Sequence, residues 1–265
     1  MMLLELLDVA SILVTFVFFS LGSYFDLKSR EVSDRVWLAY APCGVALTIS
    51  RLIFAESALF LVAASVILTI IVSFGLFYLG LFGGADAKAI ICLGLTIPIA
   101  PSTYQPLIGY AYPFFPIIVT ITSYLCSTSV VAWLGIRNVN RYFHQGEQMF
   151  AGLHEESRWR KVLACLTGFP VELAKLRSTF YLYPMEEVVQ ANSVVHRSFR
   201  LFVRAEEDRD QEISRLENQL RQIGYAGEIW VTPGLPQLLF ILLALIITLI
   251  FGDPIFGAAV KLATH

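Results

Sequence analysis

Two aspartates stand out among the residues of this 265-residue chain that could do chemistry. Asp26 lies in Ser23-Tyr24-Phe25-Asp26-Leu27-Lys28-Ser29-Arg30, and Asp86 in Gly83-Gly84-Ala85-Asp86-Ala87-Lys88. Each borders an apolar run, where an acidic side chain is costly and needs a reason. Two carboxyl groups held close together can share one proton. One then acts as base on a water while the other, protonated, polarises a carbonyl, and the pair hydrolyses a peptide without metal, cofactor or nucleophilic side chain. The remaining inventory offers no competitor. His154-Glu155-Glu156-Ser157-Arg158 begins like a zinc-protease helix but has Arg158 where the second ligand belongs. No serine occupies a G-x-S-x-G elbow, no glycine loop would cradle a phosphate, and Cys43, Cys92, Cys126 and Cys165 form no C-x-x-C pair. The expected catalytic residues are therefore Asp26 and Asp86, with no cofactor and no metal.

Each aspartate also has a structural alternative. Asp86, after two glycines and before an apolar helix, is a natural N-cap. Asp26 can be an interface residue, although a carboxylate in the last turn of a helix opposes the macrodipole. The same electrostatics assign the charge to Asp86, at a helix N-terminus, and the proton to Asp26, at a C-terminus. Gly80 and Gly84 form a G-x-x-x-G pair suited to close helix approach, and Gly83-Gly84 equally free the backbone to turn Asp86 toward another helix end. Lys28 and Lys88 each follow their aspartate by two residues. That spacing places them on the opposite helix face, where they are expected to meet lipid headgroups.

The elements that must position these groups are membrane helices. The chain is 57% hydrophobic and only 15% charged, with a mean hydropathy of +0.68, whereas a soluble domain carries about 25% charged residues. A helix crossing the hydrocarbon core needs ~20 mostly apolar residues. Six runs qualify, at 9–27, 36–54, 58–82, 87–100, 113–135 and 235–252. The fourth is short, ending in Pro98 and Pro101, and Pro106–Phe115 is available to complete it. The expected architecture is an all-α membrane protein of six transmembrane helices, with a small, mainly helical cytosolic domain inserted before the last. Its divisions are 1–135, 136–230 and 231–265. The inserted segment is polar, broken by Pro170 and Pro184. Its clearest helix is Glu206–Gly224, where Ile213, Leu216, Leu220 and Ile223 form a heptad-like seam that packs on its own domain or on a partner helix.

Basic residues set the orientation. Lys28, Arg30, Arg35, Lys88 and the basic residues between Arg137 and Arg221 fall on one side, Arg51 and Lys261 on the other. Both termini are expected outside the cell membrane, with both aspartates and residues 136–230 cytosolic. Glu5 and Asp8 replace the basic start of a signal peptide, and with Glu56 and Asp253 they read as outer boundary charges.

At Asp26 with Lys28-Ser29-Arg30, and at Gly83-Gly84-Ala85-Asp86, the sequence resembles the archaeal type IV prepilin and preflagellin peptidases. These are membrane aspartyl peptidases of the G-x-G-D class, peptidase A24. Ala85 stands where the family has its second glycine. Trp230-Val231-Thr232-Pro233-Gly234-Leu235-Pro236 resembles the archaeal members, and the tetracysteine zinc element of the bacterial relatives is missing. The resemblance implies an aspartic-type endopeptidase with Asp26 and Asp86 catalytic and Gly83, Gly84, Ala85, Lys28 and Lys88 supporting. It implies removal of a short basic leader, the class III signal peptide, from prepilins or preflagellins at the cytosolic membrane boundary. Glu31, Asp34, Glu186 and Glu187 are acidic groups available to attract such a leader. The partners implied are those precursors and membrane lipid, without nucleic acid. Two other functions compete: a small transporter or channel, whose carboxylates belong at the midplane, and a non-enzymatic membrane scaffold that uses residues 136–230 to bind a partner.

Overall fold

A computed structural model describes residues 2–54, 59–101, 105–110, 112–191, 194–200 and 209–257. Glu56, Glu206 and Lys261 lie outside the described residues. In chain order the helices are α1 (Met2–Ser29), α2 (Asp34–Phe54), α3 (Leu59–Tyr78), α4 (Gly84–Thr96), α5 (Phe115–Gln145), α6 (Arg158–Thr167), α7 (Leu173–Ser178), α8 (Arg209–Gln222) and α9 (Gln237–Phe251). The strands are β1 (Phe169–Val171), β2 (Leu182–Pro184), β3 (Glu186–Ala191), β4 (Val194–Phe199) and β5 (Ile229–Pro233). The chain divides into two compact units, residues 1–127 with 236–265, and residues 128–235.

The architecture corrects the expectation of six transmembrane helices. Among the described residues four helices are long and apolar enough to cross a membrane: Leu3–Ser29, Asp34–Phe54, Leu59–Tyr78 and the span beginning at Phe115. Helix α4 has 13 residues and α9 has 15, so at 1.5 Å per residue both fall well short of a ~30 Å hydrocarbon core. The physical stops are local. Ile97 precedes Pro98 and leaves the helical region, at φ −130° and ψ 69°, as a residue before proline is driven to do. Gly252, at φ +91°, ends α9. The apolar stretch after Pro106 does not complete α4. Instead Leu107 and Ile108 donate their N–H groups to the carbonyls of Ile250 and Phe251, at 3.1 and 2.8 Å.

Inside the first unit the usual soluble pattern is inverted. Helix α3 buries Val62, Ser65, Thr69 and Ser73 while Phe60, Ile67 and Ile71 face outward. A helix in lipid gains nothing by hiding apolar side chains, and small polar residues allow close approach and hydrogen bonding between helices. Thr48 on α2 accordingly donates to the carbonyl of Leu95 at 2.8 Å, and Tyr40 donates to Thr15 at 2.8 Å. Phe19, Trp37, Ile90, Leu93, Leu238 and Ile241 fill the centre, so α1, α2, α4 and α9 share one core. Asp8 and Arg51, expected as separate boundary charges, form a buried ion pair at 2.5 Å between α1 and α2.

The second unit, expected as mainly helical, also holds two small sheets. The first has the order β1-β5-β2, antiparallel throughout, with Pro170 opposite Trp230 and Tyr183 opposite Thr232. Strands β3 and β4 form a separate antiparallel hairpin. Helix α8 buries Ile213, Leu216 and Leu220 against Val171, Leu182 and Val231. The heptad-like seam thus packs on its own unit, and Ile223 at its end stays 37% exposed.

The contact between α2 and α4 yields a stability prediction. A Cβ at Gly44 would lie 2.1 Å from Thr96 Oγ1 and 3.3 Å from the Thr96 backbone. Gly44→Ala should therefore cost about 1–3 kcal/mol through overpacking, read as a lowered Tm in detergent. An unchanged Tm would show that the two helices are not held at this separation.

Candidate active site

Asp26 sits in the last turn of α1, with its side chain 14% exposed. Two groups address its carboxylate: the Leu238 backbone N–H, at the start of α9, donates to Oδ2 at 3.4 Å, and Arg30 Nη1 lies 3.8 Å from Oδ1. Arg30 reaches this position because the chain ends α1 in the left-handed region, φ +59° at Arg30, with its N–H still bonded to the Asp26 carbonyl at 3.1 Å. A β-carbon disfavours that conformation, and holding the guanidinium beside the carboxylate is the compensating contact.

Asp86 is the third residue of α4. Its Oδ2 accepts the N–H of Gly83 at 2.9 Å, so the N-terminal capping role is real. It does not set the charge state as expected. Burial pushes the Asp86 carboxyl up to about 7; the Gly83 N–H pulls it back, the Asp26 carboxylate adds to the rise, and Arg30 opposes it. The helix-end argument considers only local dipoles, and here the loss of water outweighs them. Arg30, beside Asp26, also acts on Asp86.

The supporting residues divide. Gly83 is extended, and a Cβ there would press on Asp86 Oδ2 at 3.1 Å. Gly84 has only Phe77 nearby, at 3.9 Å, and Gly80 has nothing within 4 Å, so the G-x-x-x-G pair packs no helix. Gly80 instead supplies φ +71° where α3 ends. Ala85 packs against the shared core of the first unit. Lys88 pairs with Asp34 on α2 at 2.5 Å rather than standing free for headgroups, and Lys28 lies 5.7 Å from the Tyr24 ring centroid. Of the acidic groups considered for a basic leader, Asp34 is thus engaged and Glu186 is buried against Arg197, while Glu31 and Glu187 remain exposed.

Sequence reasoning missed three contributors. Arg30 was read only as part of a basic stretch. Leu238 acts through its backbone, which no side-chain pattern reveals. Tyr124, on α5, stacks on Phe82 with ring centroids 5.3 Å apart, next to the glycine element. The Tyr124 hydroxyl, Ser23 Oγ and Arg30 Nε are buried without a hydrogen-bond partner among the described residues. A polar aromatic in the middle of an apolar run was the available signal for Tyr124. Two carboxyl groups at helix ends of one unit, with donors such as Arg30 nearby, are the groups a polarised carbonyl and an activated water would need.

Comparison with known proteins gives the chain's relatives. Residues 13–134 match the type IV leader peptidase family, and residues 160–254 match the archaeal peptidase A24 C-terminus, type II. The preflagellin peptidase of Methanocaldococcus jannaschii is 29% identical over 244 residues, covering 89% of this chain and 92% of its own. The preflagellin peptidase of Methanococcus voltae is 25% identical over 246 residues, with the same coverage, 89% and 92%.

Proposed function

The chain belongs to the archaeal type IV prepilin and preflagellin peptidase family, and we propose that Asp26 and Asp86 carry out its aspartic-type endopeptidase chemistry. The observation that carries this reading is the placement of the two carboxyl groups at helix ends that share one core, Asp26 at the end of α1 against the start of α9 and Asp86 at the start of α4. The proton is assigned to Asp86 and the role of base to Asp26, the reverse of the helix-dipole expectation. Burial makes ionisation of Asp86 costly, and Arg30 and the Leu238 N–H are the partners that Asp26 has.

The steps follow from that state. Asp26 takes a proton from a water as the water oxygen adds to the scissile carbonyl carbon. Asp86 gives its proton to the carbonyl oxygen, forming a tetrahedral diol. The carbon–nitrogen bond then breaks as Asp26 passes its proton to the leaving nitrogen. Asp86 recovers a proton from the diol, leaving a carboxyl product and a free amine. Arg30, beside Asp26, and Tyr124, beside the glycine element, are the donors proposed to stabilise the developing oxyanion.

The substrate proposed is a prepilin or preflagellin precursor, whose short basic leader meets an apolar helix at the membrane boundary. The orientation proposed puts both termini outside and the aspartates and residues 136–230 in the cytosol; it requires the α4 and α9 segments to pass the membrane although neither helix spans it alone, with the non-helical chain at Leu107 and Ile108, bonded to the end of α9, adding to the thickness covered. Pairing of Arg51 with Asp8 supports this orientation, because it neutralises one of the two outer basic residues. Residues 1–135 would carry the site, residues 136–230 would form a cytosolic domain without catalytic groups, and residues 231–265 would return to the membrane. A transporter or scaffold reading gives no role to the two carboxyl groups.

Asp26→Asn and Asp86→Asn should each reduce cleavage of a basic-leader pilin precursor in membranes by at least ~10³-fold, as loss of a general acid or base does, while Lys28→Ala and Lys88→Ala retain most activity. Near-normal cleavage by either Asn variant, with insertion intact, would remove the aspartyl mechanism. Topology has its own check: a single cysteine at position 145 or 210 should resist impermeant thiol reagents in intact cells. Labelling from outside would place those residues on the opposite face.

A further inference from the structure

We propose that α6 is an interfacial membrane anchor, with Trp159, Val162 and Leu163 lying at the headgroup–acyl boundary of an anionic bilayer. The helix is amphipathic in the sense opposite to that of a soluble helix. Trp159, Val162, Leu163 and Leu166 recur at i, i+3, i+4 and i+7, one helical face, yet the first three are 60, 57 and 40% exposed. The charged residues turn the other way. Arg160 ion-pairs with Glu156 at 3.0 Å and donates to the Phe199 carbonyl, and the Lys161 ammonium lies 5.5 Å from the Phe150 ring centroid. Ala164 between them is fully buried. Water gives no reason to satisfy the charges inward and expose the apolar stripe. A bilayer does, as it does for α3 in the first unit.

The depth of α6 is fixed by its attachment to α5. That helix has 31 residues, ~46 Å at 1.5 Å each, and a hydrocarbon core takes up only ~20 of them, from Phe115 to about residue 135. The attachment falls at that level. The missing side chain of Gly135 makes room for Leu166, whose Cδ2 would lie 3.1 Å from a Cβ there, and Asn138 Nδ2 donates to the carbonyls of Cys165 and Gly168 at 2.7 and 2.6 Å. Trp133 is 57% exposed on the same stretch of α5, with the Arg137 guanidinium 5.5 Å from its ring centroid. An aromatic beside a basic residue at the end of a span is the usual mark of the membrane interface.

A 10-residue helix is too short to cross a bilayer and well suited to lie in its plane. Exposed Arg158 at its start supplies a cation for anionic headgroups. This inference rests on α5 crossing the membrane and is independent of the peptidase chemistry. The occupant of the face is therefore lipid rather than a second protein.

Nitroxide labels placed singly at 162, 163 and 218 test it, in the full chain with its native cysteines replaced by alanine and reconstituted in phosphatidylcholine–phosphatidylglycerol vesicles. At 162 and 163 the ratio of oxygen to nickel-chelate collisions should exceed that at 218 several-fold. Ratios equal to that at 218 would place the face in water and overturn the proposal. Low access to both reagents with an immobilised spectrum would mean a protein contact, from a second copy or another segment, and would also overturn it. A chain with its cysteines intact gives a second reading: brominated phosphatidylcholine should quench the emission that Trp159→Phe removes. Absence of that quenching would contradict the anchor independently of the labels.

Discussion

Keeping a carboxyl pair at the edge of a hydrocarbon layer is the constraint on which the first unit is organised. Removing a carboxylate from water costs several kcal/mol after relaxation, and two adjacent carboxylates add repulsion to that cost. A proton on Asp86 avoids most of that penalty there. The surroundings supply the remaining compensation from four directions: α1 contributes Arg30, α4 contributes the Gly83 N–H, α9 contributes the Leu238 N–H, and α5 contributes Tyr124 through its stack on Phe82. Helix ends suit this task because their first N–H groups have no partner within the helix. The shortness of α4 and α9 matters for the same reason. A helix begins at each of these positions, so an unpaired N–H is available at the carboxyl it faces.

The two aspartates were legible in the sequence because charge is conspicuous in an apolar context. Their protonation order was not. A helix dipole can be read from the order of residues, but burial depends on what packs around a group, and for Asp86 burial dominates. Helix number failed for a related reason. Apolar runs reveal where lipid or core begins, yet Pro98 truncates α4 and Gly252 stops α9, leaving 13 and 15 residues where a span was expected. In the second unit, β1 and β2 have only three residues each, too few to display a period-two pattern. They exist because β5 pairs with both, a long-range relation absent from any local window. The seam on α8 was legible, since Ile213, Leu216 and Leu220 do form one buried face.

Buried charge serves a different purpose in the second unit. Arg197 donates to Glu186 Oε2 from Nε at 2.8 Å and from Nη2 at 2.5 Å, while Glu186 Oε1 accepts the Trp230 N–H at 2.7 Å. The Arg197 guanidinium also lies 3.9 Å from the Tyr225 ring centroid. These contacts join the β3–β4 hairpin to β5, two sheets that share no ladder. Every oxygen and most donors are matched, which is the condition for a buried ion pair to specify structure rather than weaken it.

The proton on Asp86 is the central claim, and carboxyl infrared difference spectroscopy in membranes measures it directly. Because the folded-state value of Asp86 is raised, its proton is bound below about 7 and released above it. At pH 6 the protein should show a protonated-carboxyl band that fades with a midpoint near 7, disappears in Asp86→Asn and persists in Asp26→Asn. A band unaffected by Asp86→Asn, or no protonated carboxyl at pH 6, would contradict the account.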